Sequence, residues 1–198
     1  MRVAGTFRQL GLIPSRGRWA RINSGVNAGR RPDTTKRDED MTATATAART
    51  NIGTRHPEMY RTLTTMAANA DKAAIAAGLP PLLLELVKIR VSQINGCAYC
   101  LRIHTADSLA QGESPERLGV LSAWQETSYF DDQEGAGLFL AEYLTMIHDS
   151  NVNRRLYDLA AEHLDPAQVS ALSWLVLSIN TFNRIAISSS YKVAPAGR

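Results

Sequence analysis

Five breaks divide this 198-residue chain: Gly78-Leu79-Pro80-Pro81, Asn95-Gly96, Gln111-Gly112, Ser114-Pro115 and Asp165-Pro166. The apolar residues between them recur at helical spacing, and no run alternates with the two-residue period of a strand. That punctuation restricts the chain to a set of helices joined by short turns. After Pro57, Met59, Leu63, Met66, Ala67 and Ala70 form a stripe suited to one helix face. After Pro81, Leu83, Leu86, Val87, Arg90, Val91 and Ile94 share a face as far as the Asn95-Gly96 turn. A third helix starts around Cys97 and runs to Gln111-Gly112, where glycine suits the C-terminal cap. Ser114 and Pro115 supply the N-cap and first turn of the next, which leads to Trp124.

Asp131 is placed to cap a helix with Ala136, Leu140, Tyr143, Leu144 and Ile147 on its apolar face. Glu142, Thr145 and Asp149 fall opposite, as a solvent face would. A shorter helix covers roughly Val152 to His163, and Asp165-Pro166 begins the last, with Val169, Leu172, Val176 and Ile179 on one face. The consecutive Trp174, Leu175, Val176 and Leu177 make that helix apolar around most of its circumference. Such a helix belongs in a core or at a subunit interface. Asn180, Asn183 and Arg184 interrupt it and point to a buried polar network or an inter-subunit contact. The expectation is an all-α protein with one helical domain over residues 51–198.

Residues 1–50 read as a disordered basic leader rich in Arg, Gly, Ser, Asn and Thr. Residues 1–40 carry a net charge of +5, whereas the remainder carries −2. The basic character therefore belongs to the leader, and the body gives no electrostatic reason to bind nucleic acid. An Arg-rich leader can serve as an organelle transit peptide. The simpler expectation is an over-extended start, with Met41 beginning the true chain at MTATATAAR. No apolar segment has the length of a membrane span or a secretory signal. Two cysteines are too few for a disulfide-stapled secreted scaffold, so the cytoplasm is the expected compartment.

Those two cysteines stand in the string Glu85-x11-Cys97-Ala98-Tyr99-Cys100-x3-His104. With Cys97 at the first turn of its helix, Cys100 and His104 lie along the same face. The helix N-terminus favours thiolate over thiol there. His104 is within reach of the Cys100 proton, and Glu85 can return from the preceding helix to orient the imidazole or relay a proton. The set activates Cys100 against an electrophilic oxygen and leaves Cys97 as the resolving thiol. Two other readings use the same residues. Cys97, Cys100, His104 and Glu85 could clamp zinc, but the second C-x-x-C or histidine pair of common zinc modules is absent. Glu85 could make a surface i, i+3 pair with Lys88.

The string Glu85-x11-Cys97-x2-Cys100-x3-His104, and with it Leu86 to Cys100 (LVKIRVSQINGCAYC), resembles the alkylhydroperoxidase D (AhpD)-like, carboxymuconolactone decarboxylase family. Leu121-Ser122-Ala123-Trp124 and Ile179-Asn180-Thr181-Phe182-Asn183-Arg184 resemble its downstream segments, so the likeness covers about residues 51–190. It implies an all-α fold assembled as a homo-oligomer, often a trimer or hexamer. It also implies a peroxidase reaction on a small hydroperoxide substrate, with no bound cofactor or metal and an external dithiol reductant protein. In that scheme Cys100 is the peroxidatic thiol, Cys97 the resolving thiol and proton donor, and Glu85 with His104 the proton relay. Tyr99 departs from the family's best-understood members, which have histidine before the second cysteine. It is expected to pack against the pocket. The family name suggests a lactone-type decarboxylase, chemistry that needs no cysteine pair. A third reading is a non-enzymatic redox sensor or scaffold.

Overall fold

The computed structural model describes residues 49–149 and 153–195. The expectations for the basic leader and its Met41 start therefore lie, but for Arg49 and Thr50, outside the described residues. Among the described residues there are eight α-helices: α1 (Ile52–Arg55), α2 (Pro57–Ala76), α3 (Pro81–Asn95), α4 (Ala98–Ala110), α5 (Pro115–Val120), α6 (Asp132–Thr145), α7 (Asn153–Ala161) and α8 (Pro166–Ser188). A 3₁₀ segment, Leu121–Glu126, continues α5. No strand forms among the described residues.

The helix boundaries have local causes. Pro57, Pro81, Pro115 and Pro166 occupy first turns, where the missing N–H would have no intrahelical partner. The carboxylates of Asp131 and Asp165 accept backbone N–H groups of α6 and α8, and Glu134 and Gln168 return the bond to complete capping boxes. Gly96 closes α3 at φ +69°, a left-handed conformation that costs glycine nothing and a β-carbon about 1 kcal/mol or more. The Cys97 N–H then returns to the Ser92 carbonyl at 3.0 Å. The chain thus reverses within two residues, and α4 folds back on α3.

Helix α3 sits at the centre, packed against α4, α6 and α8. Its burial is wider than one face: Leu83, Leu84, Leu86, Val87, Ile89 and Val91 are all buried. Each such side chain contributes about 1.5–3 kcal/mol through removal from water. Gly137 lets α6 approach closely, because a β-carbon there would lie 3.0 Å from Leu83 Cδ1 and 3.3 Å from Leu172 Cδ2.

Helix α6 departs from its sequence pattern. It is buried without interruption from Gly135 to Glu142, and Thr145 is buried as well. Glu142 and Thr145, expected in solvent, instead take partners from neighbouring helices. Glu142 accepts from Arg90 Nε (2.8 Å) and Trp124 Nε1 (3.0 Å), and Thr145 Oγ1 accepts from Asn180 Nδ2 (3.0 Å). Ile147 lies beyond the end of the helix and is exposed. Met59, at the start of α2, is 68% exposed, whereas Ala70 on the same stripe and Ala74 beyond it are buried.

Helix α8 divides its apolar run. Leu175 and Val176 are buried, while Trp174 is 53% exposed and Leu177 is exposed beside it. Further along, the expected polar network forms. Asn95 Nδ2 donates to Asn180 Oδ1 and Asn183 Oδ1, both at 2.9 Å, and Asn183 Nδ2 donates to Ser92 Oγ at 3.1 Å. Three buried or part-buried amides thereby tie α8 to the turn that carries the cysteines.

Candidate functional site

Cys97 is the N-cap of α4, and Cys100 lies in its first turn. The two form a disulfide with Cα atoms 5.4 Å apart. The Cys97 sulfur accepts the Cys100 backbone N–H at 3.3 Å, in the place an Asp or Ser oxygen would take at an ordinary cap. When the disulfide opens, a thiolate at this position faces unpaired N–H groups and the positive end of the helix. Cys97 is 1% exposed and Cys100 4%, but their surroundings differ. Cys100 lines a cavity of about 250 Å³, and Cys97 is not part of its wall.

The Gly96 reversal brings Glu85, near the start of α3, beside His104, two turns into α4. Glu85 Oε2 and His104 Nδ1 are 2.9 Å apart. With Nδ1 protonated and donating to the carboxylate, Nε2 is left as the basic nitrogen. His104 lines the same cavity as Cys100. The structure therefore brings Glu85, Cys97, Cys100 and His104 into one locus, although among the described residues neither sulfur has a hydrogen bond with His104.

Burial of Glu85 pushes its carboxyl up, but the hydrogen bond to His104 and the Lys88 charge outweigh burial and hold it below its ordinary value of 4.5. The local pairing with Lys88 forms as well, at 2.9 Å. It is largely shielded from water, and Lys88 Nζ also reaches Asp71 Oδ1 on α2 at 2.9 Å. Burial draws the Lys88 ammonium down, yet Glu85 and Asp71 together raise it above its ordinary value. Both residues therefore stay charged at neutral pH.

The rest of the cavity is apolar and aromatic. Ile103, Leu175, Ile179, Phe182 and Ile185 face it, together with Tyr60, Tyr99 and Tyr191. Tyr99 packs edge-on against Tyr191 at 5.0 Å, and Tyr60 packs against Phe182 at 5.7 Å. Burial, and then the phenols of Tyr191 and Tyr99, push Tyr60 above its ordinary value of 10.0, so it remains a neutral donor. Tyr99 is a packed aromatic in the cavity wall. Asp71, Tyr60 and Tyr191 carried no local signal, and nothing in the family-like segment of Phe182 placed it at the cavity, because α2, α8 and the segment after α8 bring them in from far along the chain.

Glu85, His104 and Asp107 place one ligand atom each within 4.8 Å of one another, a spacing that a cation could use. Asp107 is exposed, however, and Glu85 Oε2 is already bonded to His104. The four-residue zinc clamp does not assemble in this oxidised state, because the two sulfurs are bonded to each other.

Comparison with known proteins agrees with this geometry. The carboxymuconolactone decarboxylase family pattern matches residues 57–143, from α2 through most of α6, and so spans the whole motif. The uncharacterised protein YdfG of Bacillus subtilis is 41% identical over 110 residues, covering 56% of this chain and 75% of that protein. A solved Agrobacterium tumefaciens protein of unknown function, provisionally assigned to antioxidant defence as AhpD, superposes with a TM-score of 0.66. That likeness covers 75% of this chain and 99% of the other, at 25% identity. With a relative this similar over three quarters of its length, the chain belongs to the carboxymuconolactone decarboxylase family and has an AhpD-like, all-helical fold.

Proposed function

We propose that the protein is a thiol-dependent peroxidase that reduces small hydroperoxides through the Cys97–Cys100 pair. One observation carries the assignment of roles: Cys100 lines the cavity that His104 also lines, and buried Cys97 does not. In the reduced protein, His104 accepts the Cys100 proton while Glu85 steadies the imidazolium. The Cys100 thiolate attacks the terminal oxygen of ROOH, the O–O bond breaks, and the proton returns to give ROH and a Cys100 sulfenic acid. The Cys97 thiol then condenses with that sulfenic acid, releasing water and forming the disulfide. An external dithiol, the expected reductant protein, returns both sulfurs to thiols and is itself oxidised.

Burial favours reductant attack at Cys100, the sulfur on the cavity wall, with Cys97 leaving as the thiolate that the helix N-terminus stabilises. The decarboxylase alternative would leave the C-x-x-C pair without a task. Exposed Trp174 and Leu177 on α8 support a homo-oligomer, the trimer or hexamer that the family resemblance implies. No helix among the described residues is long and apolar enough to cross a membrane; the cytoplasmic location is proposed on the cysteine count alone.

The test is steady-state hydroperoxide reduction across several dithiols, with dimedone trapping of intermediates. Dimedone is expected to label Cys100, Cys97→Ser to prolong the labelled state, and Cys100→Ser to abolish turnover. Disulfide formation without turnover on any dithiol would sink the peroxidase and leave a redox sensor. Failure of both wild type and Cys97→Ser to react with any hydroperoxide would remove the peroxide chemistry altogether.

A further inference from the structure

We propose that Lys88 and Asp71 are positioning residues for the Glu85–His104 pair, with Asp71 acting through Lys88. This inference rests on the reading of His104 as the base for Cys100. A solvent-exposed i, i+3 pair contributes little and fixes nothing. The Glu85–Lys88 pair differs in two respects. It is shielded, with the two side chains 9% and 14% exposed, and it is anchored to a second helix through the 2.9 Å contact of Lys88 with Asp71. Lys88 holds Glu85 Oε1 at 2.9 Å, and Oε2 meets His104 at 2.9 Å. With one oxygen on each side committed, the plane of the carboxylate is set and its second oxygen is aimed at the imidazole.

A chemical consequence follows for the thiol. A buried carboxylate without a cation tends to take up a proton. Protonated Glu85 is a poorer acceptor for the His104 Nδ1 hydrogen, and the tautomer that leaves Nε2 basic then loses its anchor. Lys88 adds its charge to the His104 hydrogen bond in keeping Glu85 ionised, and Asp71 holds Lys88 beside the carboxylate. The other titratable groups around this end are Tyr60 from α2, Tyr99, Cys100 and the exposed Asp107 from α4, and Tyr191 from the segment after α8. Helix α8 contributes Ser178 and apolar side chains to the same cavity. Among the described lining residues, Lys88 is therefore the cation that faces Glu85. Asp71, Lys88 and His104 all line the cavity with Cys100, so the chain of contacts ends where the thiol reacts.

The experiment measures iodoacetamide alkylation of Cys100 against pH, in reduced full-length Cys97→Ser and in that chain with K88M or D71N added. It needs no peroxide, so its outcome is separable from that of the peroxidase assay. K88M is expected to slow alkylation at neutral pH about 10- to 100-fold, as when outer partners of orienting histidines are removed. Its pH midpoint should rise toward the ordinary thiol range near 8.5. D71N, which keeps the Lys88–Glu85 pair, should shift the profile the same way by less, and should add almost nothing to K88M. Parental profiles in both variants would overturn the proposal and leave Lys88 as a structural ion pair, whatever happened to melting temperature. Should K88M fail to fold, the D71N profile decides alone: a parental profile overturns the proposal and a shifted one supports it.

Discussion

Two buried carboxylates pair with side chains of α3, and their partners differ in kind. Glu142, 4% exposed, takes Arg90 Nε (2.8 Å), Arg90 Nη2 (2.6 Å), Trp124 Nε1 (3.0 Å) and Gln125 Nε2 (3.3 Å). None of those donors changes charge near neutral pH, so Glu142 fixes α6 to α3 and does little else. Glu85, 7% exposed, is shared between Lys88 and His104, and imidazole is the side chain whose charge changes around neutrality. Burial and ion pairing are common to both carboxylates. What separates a structural carboxylate from a chemical one here is the titratable partner and the cavity behind it.

Exchanging each acid for its amide tests that contrast directly. The largest effect is expected for Glu85→Gln, which keeps a partner for His104 but removes the charge that stabilises the imidazolium. Cys100 sulfenic acid formation should slow by about 10²- to 10⁴-fold, the range for a lost general acid–base function, with melting affected far less. Stopped-flow peroxide consumption under single turnover would measure it. Glu142→Gln should invert the pattern. It removes the charge opposite part-buried Arg90, which keeps Gln93 and the glutamine oxygen as acceptors, at about 1–3 kcal/mol, or a melting temperature lower by roughly 5 °C for a domain of this size. The thiol of the surviving fold should react nearly as before, and calorimetry beside alkylation kinetics would show whether it does. Equal rate losses in the two variants would erase the distinction.

A smaller effect concerns acid. Because the folded Glu85 carboxyl lies below its ordinary value of 4.5, its contribution to stability is complete above that value and fades as pH falls through the folded value. Urea midpoints taken from neutrality down past that range should therefore fall more steeply for wild type than for Glu85→Gln. The smallest expected effect is that of Asp165→Ala, which deletes the α8 cap at about 1 kcal/mol. Cys100 alkylation should be unmoved, since the cap lies at the opposite end of α8 from the residues facing the thiol.

The sequence made the Cys97, Cys100 and His104 register legible because all three sit on one helix, where spacing alone sets the face. Glu85 was legible for a related reason: only the Gly96 turn separates its helix from theirs. Glu142 was misassigned for the opposite reason. Arg90 was counted with the apolar face of α3 and Glu142 with the solvent face of α6, yet they meet across 52 positions of sequence. A face-by-face pattern assigns a charge to water unless its partner is known, and that partner came from tertiary packing. The same holds for Asp71, Tyr60, Phe182 and Tyr191, which share the cavity only because α2, α8 and the segment after α8 converge there. Met59 fits a helical stripe but falls where no neighbour covers it.

The meeting of the two ends of the helical body has a practical consequence. Ile52 N donates to Ser189 Oγ at 3.2 Å, Arg49 Nη1 to the Ile187 carbonyl at 3.3 Å, and Tyr191 OH to Asn51 Oδ1 at 3.4 Å. The Tyr191 ring then continues onto Tyr99, the residue before Cys100. A clasp made of these first and last segments therefore also contributes to the wall of the cavity that Cys100 lines. Trimming or fusing protein engineered at either end will register first as altered thiol reactivity, and only afterwards as lost helix content.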